Sequence, residues 1–194
     1  MDGFKYSIKA IPTKFNGVLM RSRLEARWAA FFTNCGWRWT YEPFDAAGWA
    51  PDFVIHLSAG DVYVEVKPLL TRNVIDVFLG VAGPLVTGAN VRALLVGSSL
   101  DFANGGAGAA KIGVGIDRPV VGVDGVIIDD IHIGCCGGSQ SRLCKGGMVS
   151  MSTAILDFTC WVCGDYDGNP SHDAVTAGVD EKWADACNQT QWRG

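Results

Sequence analysis

Residues Asp61 to Lys67 read DVYVEVK, a strict alternation with valines at 62, 64 and 66 and polar or aromatic side chains between them. Only a strand buried on one face suits this pattern, since successive side chains of an extended chain point to opposite sides. Pro68 closes the strand, and Ser58-Ala-Gly-Asp61 before it has the composition of a tight turn. Pro51 to Leu57 (PDFVIHL) is β-prone and ends at that turn, so the two segments predict an antiparallel hairpin. Glu65 and Lys67 share the face opposite the valines. Hairpin pairing can bring Asp52 beside them, with the register left open by the sequence.

The flanking segments extend this unit in both directions. Ser22 to Asn34 predicts a helix, because Leu24, Trp28, Phe31 and Phe32 recur at helical spacing and Gly36 lies just past its end. Trp37 to Glu42 (WRWTYE) reads as a strand ended by Pro43, Thr71 to Val81 as a second helix, and Arg92 to Val96 as a short buried strand. The order is helix, three meandering strands, helix, strand, over residues 14–97. Beyond it the pattern weakens. Residues 98–115 are rich in Gly and Ala, Ile112 to Asp130 suggests hairpins with Gly turns, and Val179 to Trp192 suggests a closing helix. Two units are therefore expected, 1–97 and 98–194.

Charge follows the same division. Of the 194 residues, 16 are Lys or Arg and 20 Asp or Glu, a net of −4, which alone argues against a surface coated for nucleic acid. Residues 1–72 nevertheless carry a net of +2 and residues 73–194 a net of −6, and 20 of the 25 glycines lie in the second part. No run approaches a membrane span, and the opening MDGFKYSIKAIPTKF lacks the apolar stretch of a signal peptide. A cytoplasmic protein without a membrane partner is the expectation.

Two carboxylates and an ammonium on one patch suit a hard divalent cation held between the acids, with Lys67 near a bound water or a phosphate. Glu25, on the first helix, is a further candidate. Ser22-x-x-Glu25 also matches a capping box, in which the Glu serves the helix end instead. Arg21, Arg23 and Arg27 flank Glu25 and can be read as phosphate-gripping DNA contacts or as a solvated helix face. Tyr63 shares the face of Glu65. Arg72 and Asn73 are the polar residues that open the second helix, and His56 reads as an ordinary strand histidine.

The order of elements, with PD on one strand and ExK on the next, resembles the PD-(D/E)xK nuclease superfamily. The segments GVLMRSRLEARWAAFF, WRWTYEP, WAPDFVI and VYVEVKP look like those of small phage-type nucleases, and are similar to transposon-end endonucleases and archaeal junction resolvases with a helix-borne Glu. The resemblance implies a restriction-endonuclease-like αβββαβ core, a mixed central sheet flanked by helices. It also implies a Mg²⁺- or Mn²⁺-dependent deoxyribonuclease, more in the manner of an endonuclease, acting in the host cytosol if phage-encoded. Asp52, Glu65 and the carbonyl of Val66 would hold the ion, Lys67 would orient the attacking water, and Glu25 would bind a second ion or a metal-bound water. A homodimer would let one site per protomer cut both strands. The alternative is a catalytically silent DNA-binding or assembly protein built on the same core with a zinc-stabilised interaction module.

Five of the seven cysteines fall between positions 135 and 163. Cys160-Trp-Val-Cys163-Gly164 has the form of a zinc knuckle, with Cys144 and Cys136 as the partner pair and Cys135 and His132 as alternatives. A zinc-ribbon-like extension is the expectation, with free buried thiols or a redox pair as the other readings. A structural Zn²⁺ there would help a Gly-rich, acidic segment hold its fold.

Overall fold

The computed structural model describes residues 10–45, 48–89, 91–101, 110–117, 127–134, 147–150, 160–162 and 178–191. Two short strands, β1 (Thr13–Phe15) and β2 (Val18–Met20), form a hairpin closed by Asn16 and Gly17, both at positive φ. Helix α1 (Arg23–Asn34) follows, then β3 (Arg38–Tyr41), β4 (Phe53–Leu57), β5 (Gly60–Val66), α2 (Arg72–Ala89) and β6 (Arg92–Asp101). Strands β7 (Ala110–Asp117), β8 (Ile127–Gly134) and β9 (Gly147–Ser150) and helix α3 (Val179–Gln189) complete the order.

The chain is a mixed α/β protein. Strands β3 to β9 form one seven-stranded sheet in sequence order, antiparallel throughout except for the β5–β6 pair. That parallel pair exists because α2 carries the chain back across one face before β6 begins. Position 97, the expected boundary between two units, falls inside β6, and β7 to β9 continue the same sheet. No helix of the described residues is long and apolar enough to cross a membrane.

Each face of the sheet has its own core. On one, Trp28, Phe31 and Phe32 of α1 meet Phe53, Ile55, Val62, Val64, Leu94 and Ile131. Helix α3 lies over α1, with Trp183 at 4.6 Å from the Trp28 ring and 5.4 Å from Phe31. On the other, Phe78, Ala82 and Val86 of α2 cover Trp49, Ala93, Leu95 and Ile116. The alternation of β5 decides which residue serves which core: Val62, Val64 and Val66 are buried towards α1, and Tyr63 packs on the α2 side.

The ends of α1 follow from its sequence. Ser22 caps the start, and at the far end Trp37 N–H reaches Phe32 C=O while Gly36 N–H reaches Thr33 C=O. This pair of bonds needs a residue at positive φ between them, and Gly36 supplies it at 75°. The second helix runs eight residues beyond the expected Val81, through Pro84. A proline there loses one helical hydrogen bond, and its ring presses on the carbonyl four residues back. That residue is Gly80, with nothing within 4 Å of where its Cβ would stand.

Candidate functional site

The N-terminus of α1, strand β3 and the β4–β5 hairpin converge at one edge of the sheet. Ser22 Oγ accepts the Glu25 N–H at 3.1 Å and donates to Glu25 Oε1 at 2.7 Å. Glu25 therefore engages the cap through the serine hydroxyl, in place of the N-cap amide of the reciprocal box. Its other oxygen, Oε2, accepts from the Tyr41 hydroxyl at 2.5 Å. The same hydroxyl accepts the Arg21 N–H at 3.0 Å, so Tyr41 locks the start of α1 to β3. Burial, and next the bond to Glu25, push the Tyr41 hydroxyl up to about 12.

Asp52 precedes β4 and is 3% exposed. The Phe53–Val64 pair sets the register and brings Asp52 across from Glu65. Asp52 Oδ2 accepts the Val66 N–H at 2.8 Å, and Oδ1 accepts from Arg21 Nη2. Burial first, then the charges of Glu65 and Glu25, raise the Asp52 carboxyl to about 6, against the pull of the Val66 N–H and Lys67.

Glu65 is fixed at both oxygens. Oε2 accepts from the Trp49 indole at 3.0 Å, and Oε1 pairs with Lys67 Nζ at 2.5 Å. Glu65, Lys67 and Asn73 also line a cleft of about 410 Å³, whose apolar wall includes Trp49, Val77, Phe78 and Leu95. Arg72 is turned out to Asp76 instead. Tyr63 meets Phe44 edge-on, and His56 sits between Thr40 and Asp61, so both serve the hairpin.

The three arginines fan apart. Arg21 lies within the acidic site, 2.9 Å from Glu42, 3.9 Å from Glu25 and in contact with Asp52. Arg23 lines a separate cleft with Lys14, Gln189 and Gln191. Arg27 lies over the Trp183 ring at 5.9 Å, its Nε buried without a hydrogen-bond partner. Position along the chain could have set Arg21 apart, since it precedes the Ser22 N-cap, while Arg23 and Arg27 stand four residues apart on one side of α1. Tyr41 and Trp49 were missed by sequence reasoning. For Tyr41 the signal was available, since it alternates with Thr40 on a strand adjacent to PD.

Asp52, Glu65 and the Val66 backbone thus stand together, with Lys67 beside Glu65 and Glu25 linked through Tyr41 and Arg21. Their donors are hard oxygens, the kind that Mg²⁺ and Mn²⁺ take, and the Asp52 carboxyl is raised by its burial first and by the charge of Glu65 next. The donor set fits such an ion in its chemistry. Among the described residues, however, no three His, Cys, Asp or Glu side chains are grouped as a ready ligand set. The carboxylate oxygens are instead engaged by Ser22, Tyr41, Arg21, Val66, Trp49 and Lys67.

Of the zinc candidates, Cys135, Cys136, Cys144 and Cys163 lie outside the described residues. Cys160 is buried beside Trp161, and His132 lies on β8. Trp161 donates to Asp117 Oδ2 at 3.0 Å and lies 5.3 Å from the guanidinium of Arg92, which in turn pairs with Asp117 Oδ1. This group ties residues 160–162 to β6 and β7. No protein-family model, curated protein or solved structure matches the chain.

Proposed function

We propose that the chain is a metal-dependent DNA nuclease of the PD-(D/E)xK type, hydrolysing phosphodiester bonds. The observation that carries this reading is the placement of Asp52 against the Val66 N–H and across from Glu65, with Lys67 paired to Glu65. The resemblance of PD and ExK to the superfamily motif adds to it. Asp52, Glu65 and the carbonyl of Val66 would hold Mg²⁺ or Mn²⁺, which when bound would polarise a phosphate oxygen and acidify a water. The Val66 N–H fixes the Asp52 carboxylate, and the Trp49 indole fixes Glu65. Lys67 Nζ, half-exposed at the mouth of the cleft, is placed to orient a water or to hold a phosphate oxygen. Tyr41 holds its proton on the side of Glu25 and so orients that carboxylate. The cysteine-rich segment as a zinc-binding extension, and pairing of two protomers on duplex DNA, complete the proposal.

One observation favours a second reading. The acids already have cationic partners in Arg21 and Lys67, as in a silent core that binds DNA or assembles without turnover. Incubation of supercoiled, linear, branched and single-stranded DNA with Mg²⁺, Mn²⁺ or chelator separates the two. The nuclease reading expects metal-dependent cutting that Asp52→Ala and Lys67→Ala abolish, with nicked circles as the endonuclease product. Variants that cut as well as the parent would remove the site assignment, and DNA binding with no cutting in any metal would favour the silent core.

A further inference from the structure

The cation that meets the acids of this site is the protein's own. Arg21 sits immediately before the N-cap of α1 and reaches Asp52, Glu42 and Glu25 with one guanidinium. Despite three acidic partners, its side chain is 62% exposed, whereas that of Asp52 is 4% exposed. An exposed guanidinium is held weakly, because water and salt screen its pairs. It can leave by side-chain rotation alone, since its backbone is anchored separately through the N–H bond to Tyr41. Lys67 pairs with Glu65, and the ion pair on Asp52 itself is that of Arg21.

We propose that Arg21 is a displaceable internal counter-ion of the acidic site, which yields Asp52 to a divalent cation and then takes a DNA phosphate. A planar guanidinium suits both roles, since it binds carboxylate and phosphate with the same paired N–H geometry. While it lies on Asp52, it competes with the metal. Once it is released, its charge is free at the mouth of the site, where it neutralises one more phosphate. Metal loading and DNA binding thereby become coupled, each favouring the state in which Arg21 has left Asp52. The inference rests on the nuclease reading of Asp52 and Glu65.

The test uses Mn²⁺ alone, titrated calorimetrically into the parent chain, Arg21→Gln, Arg21→Met and Asp52→Asn, with circular dichroism as the check of folding. Binding of a DNA duplex is followed separately across a salt series, with Ca²⁺ or with chelator. Both Arg21 variants are expected to bind Mn²⁺ several-fold more tightly than the parent. In the parent, Ca²⁺ is expected to steepen the dependence of log K on log salt by about one unit, the mark of one added phosphate contact. That change should vanish in both variants. Mn²⁺ binding that needs Asp52 but is no tighter in the Arg21 variants overturns the counter-ion role alone, as does a salt slope unmoved by Ca²⁺. If the parent binds no Mn²⁺, or Asp52→Asn binds it equally well, the metal site itself fails and this inference with it.

Discussion

Tyr41 on β3 donates its hydroxyl to Glu25 on α1 while accepting the backbone N–H of Arg21. One phenol thus satisfies an amide ahead of the helix and orients the carboxylate of the first turn. With its hydroxyl pushed up to about 12, Tyr41 stays a donor across the physiological range. Tyr41→Phe leaves the ring packed beside Phe53 but removes both bonds. A loss of about 1–2 kcal/mol in urea unfolding is expected. If the nuclease reading holds, a drop in cutting larger than the loss of folded protein should accompany it. An unchanged urea midpoint would show that the hydroxyl contributes nothing to holding α1.

The raised Asp52 carboxyl predicts a pH dependence of the fold. Its carboxyl stands near 3.8 in an unfolded chain and at about 6 in the fold. The folded state therefore favours the protonated form. The contribution of Asp52 to stability is fully present below about pH 4 and is lost as pH rises through 6. In chelator, the stability of the parent minus that of Asp52→Asn should fall between pH 4 and 7, by on the order of 2 kcal/mol. Urea midpoints taken at half-unit steps would measure it. A difference that rises with pH would mean that Arg21 more than compensates the burial.

Much of the first hundred residues was legible because each element announces itself locally. The alternation of DVYVEVK, the aromatic face of α1 and the glycine stop at Gly36 all depend on neighbours in sequence, and the observed elements follow them closely. The juxtaposition of Asp52 and Glu65 was legible for the same reason, as a hairpin joins nearby segments. Asn16-Gly17 was an equally local turn signal for the first hairpin, and it was passed over. What escaped was the continuation of the sheet. Hairpins were expected over Ile112 to Asp130, but that β6 extends to Asp101 and that β7 to β9 add to the same sheet, with Asp101 opposite Lys111 and Asp117 opposite Ile127, could not be read, because glycines interrupt the alternation that would mark each strand and its partner. Trp49 bonding Glu65 and Arg27 packing on Trp183 join parts of the chain that only the fold brings together.

Those glycines have a packing reason that substitution can expose. A Cβ on Gly115 of β7 would stand 2.4 Å from Ile131 Cγ1 and 2.6 Å from Trp161 Cη2, both buried. Gly115→Ala should cost about 1–3 kcal/mol through overpacking and separate Trp161 from the sheet. Gly80→Ala in α2 meets nothing within 4 Å, and should be neutral or stabilising by about 0.5–1 kcal/mol through helix propensity. Thermal melts of the two variants, with Trp fluorescence for the first, would read the contrast. Equal melting points would mean that β7 and the Trp161 segment shift apart freely.

Arg27 separates structural from DNA-directed charge on α1. It lies over Trp183 and so helps seat α3 against α1, where Asn34 also donates to the Lys182 carbonyl at 2.9 Å. Arg27→Ala is expected to destabilise the chain by about 1 kcal/mol through lost cation–π and stem packing, with a change in Trp fluorescence. Its effect on DNA affinity, compared at equal folded fraction, should be small, and the salt slope should stay that of the parent. Arg21→Gln should do the opposite, leaving α3 seated while lowering the slope in the presence of Ca²⁺. A loss of about one unit of slope in Arg27→Ala would return Arg27 to the DNA-binding surface and require α3 to move away from Trp28 and Phe31 when DNA binds.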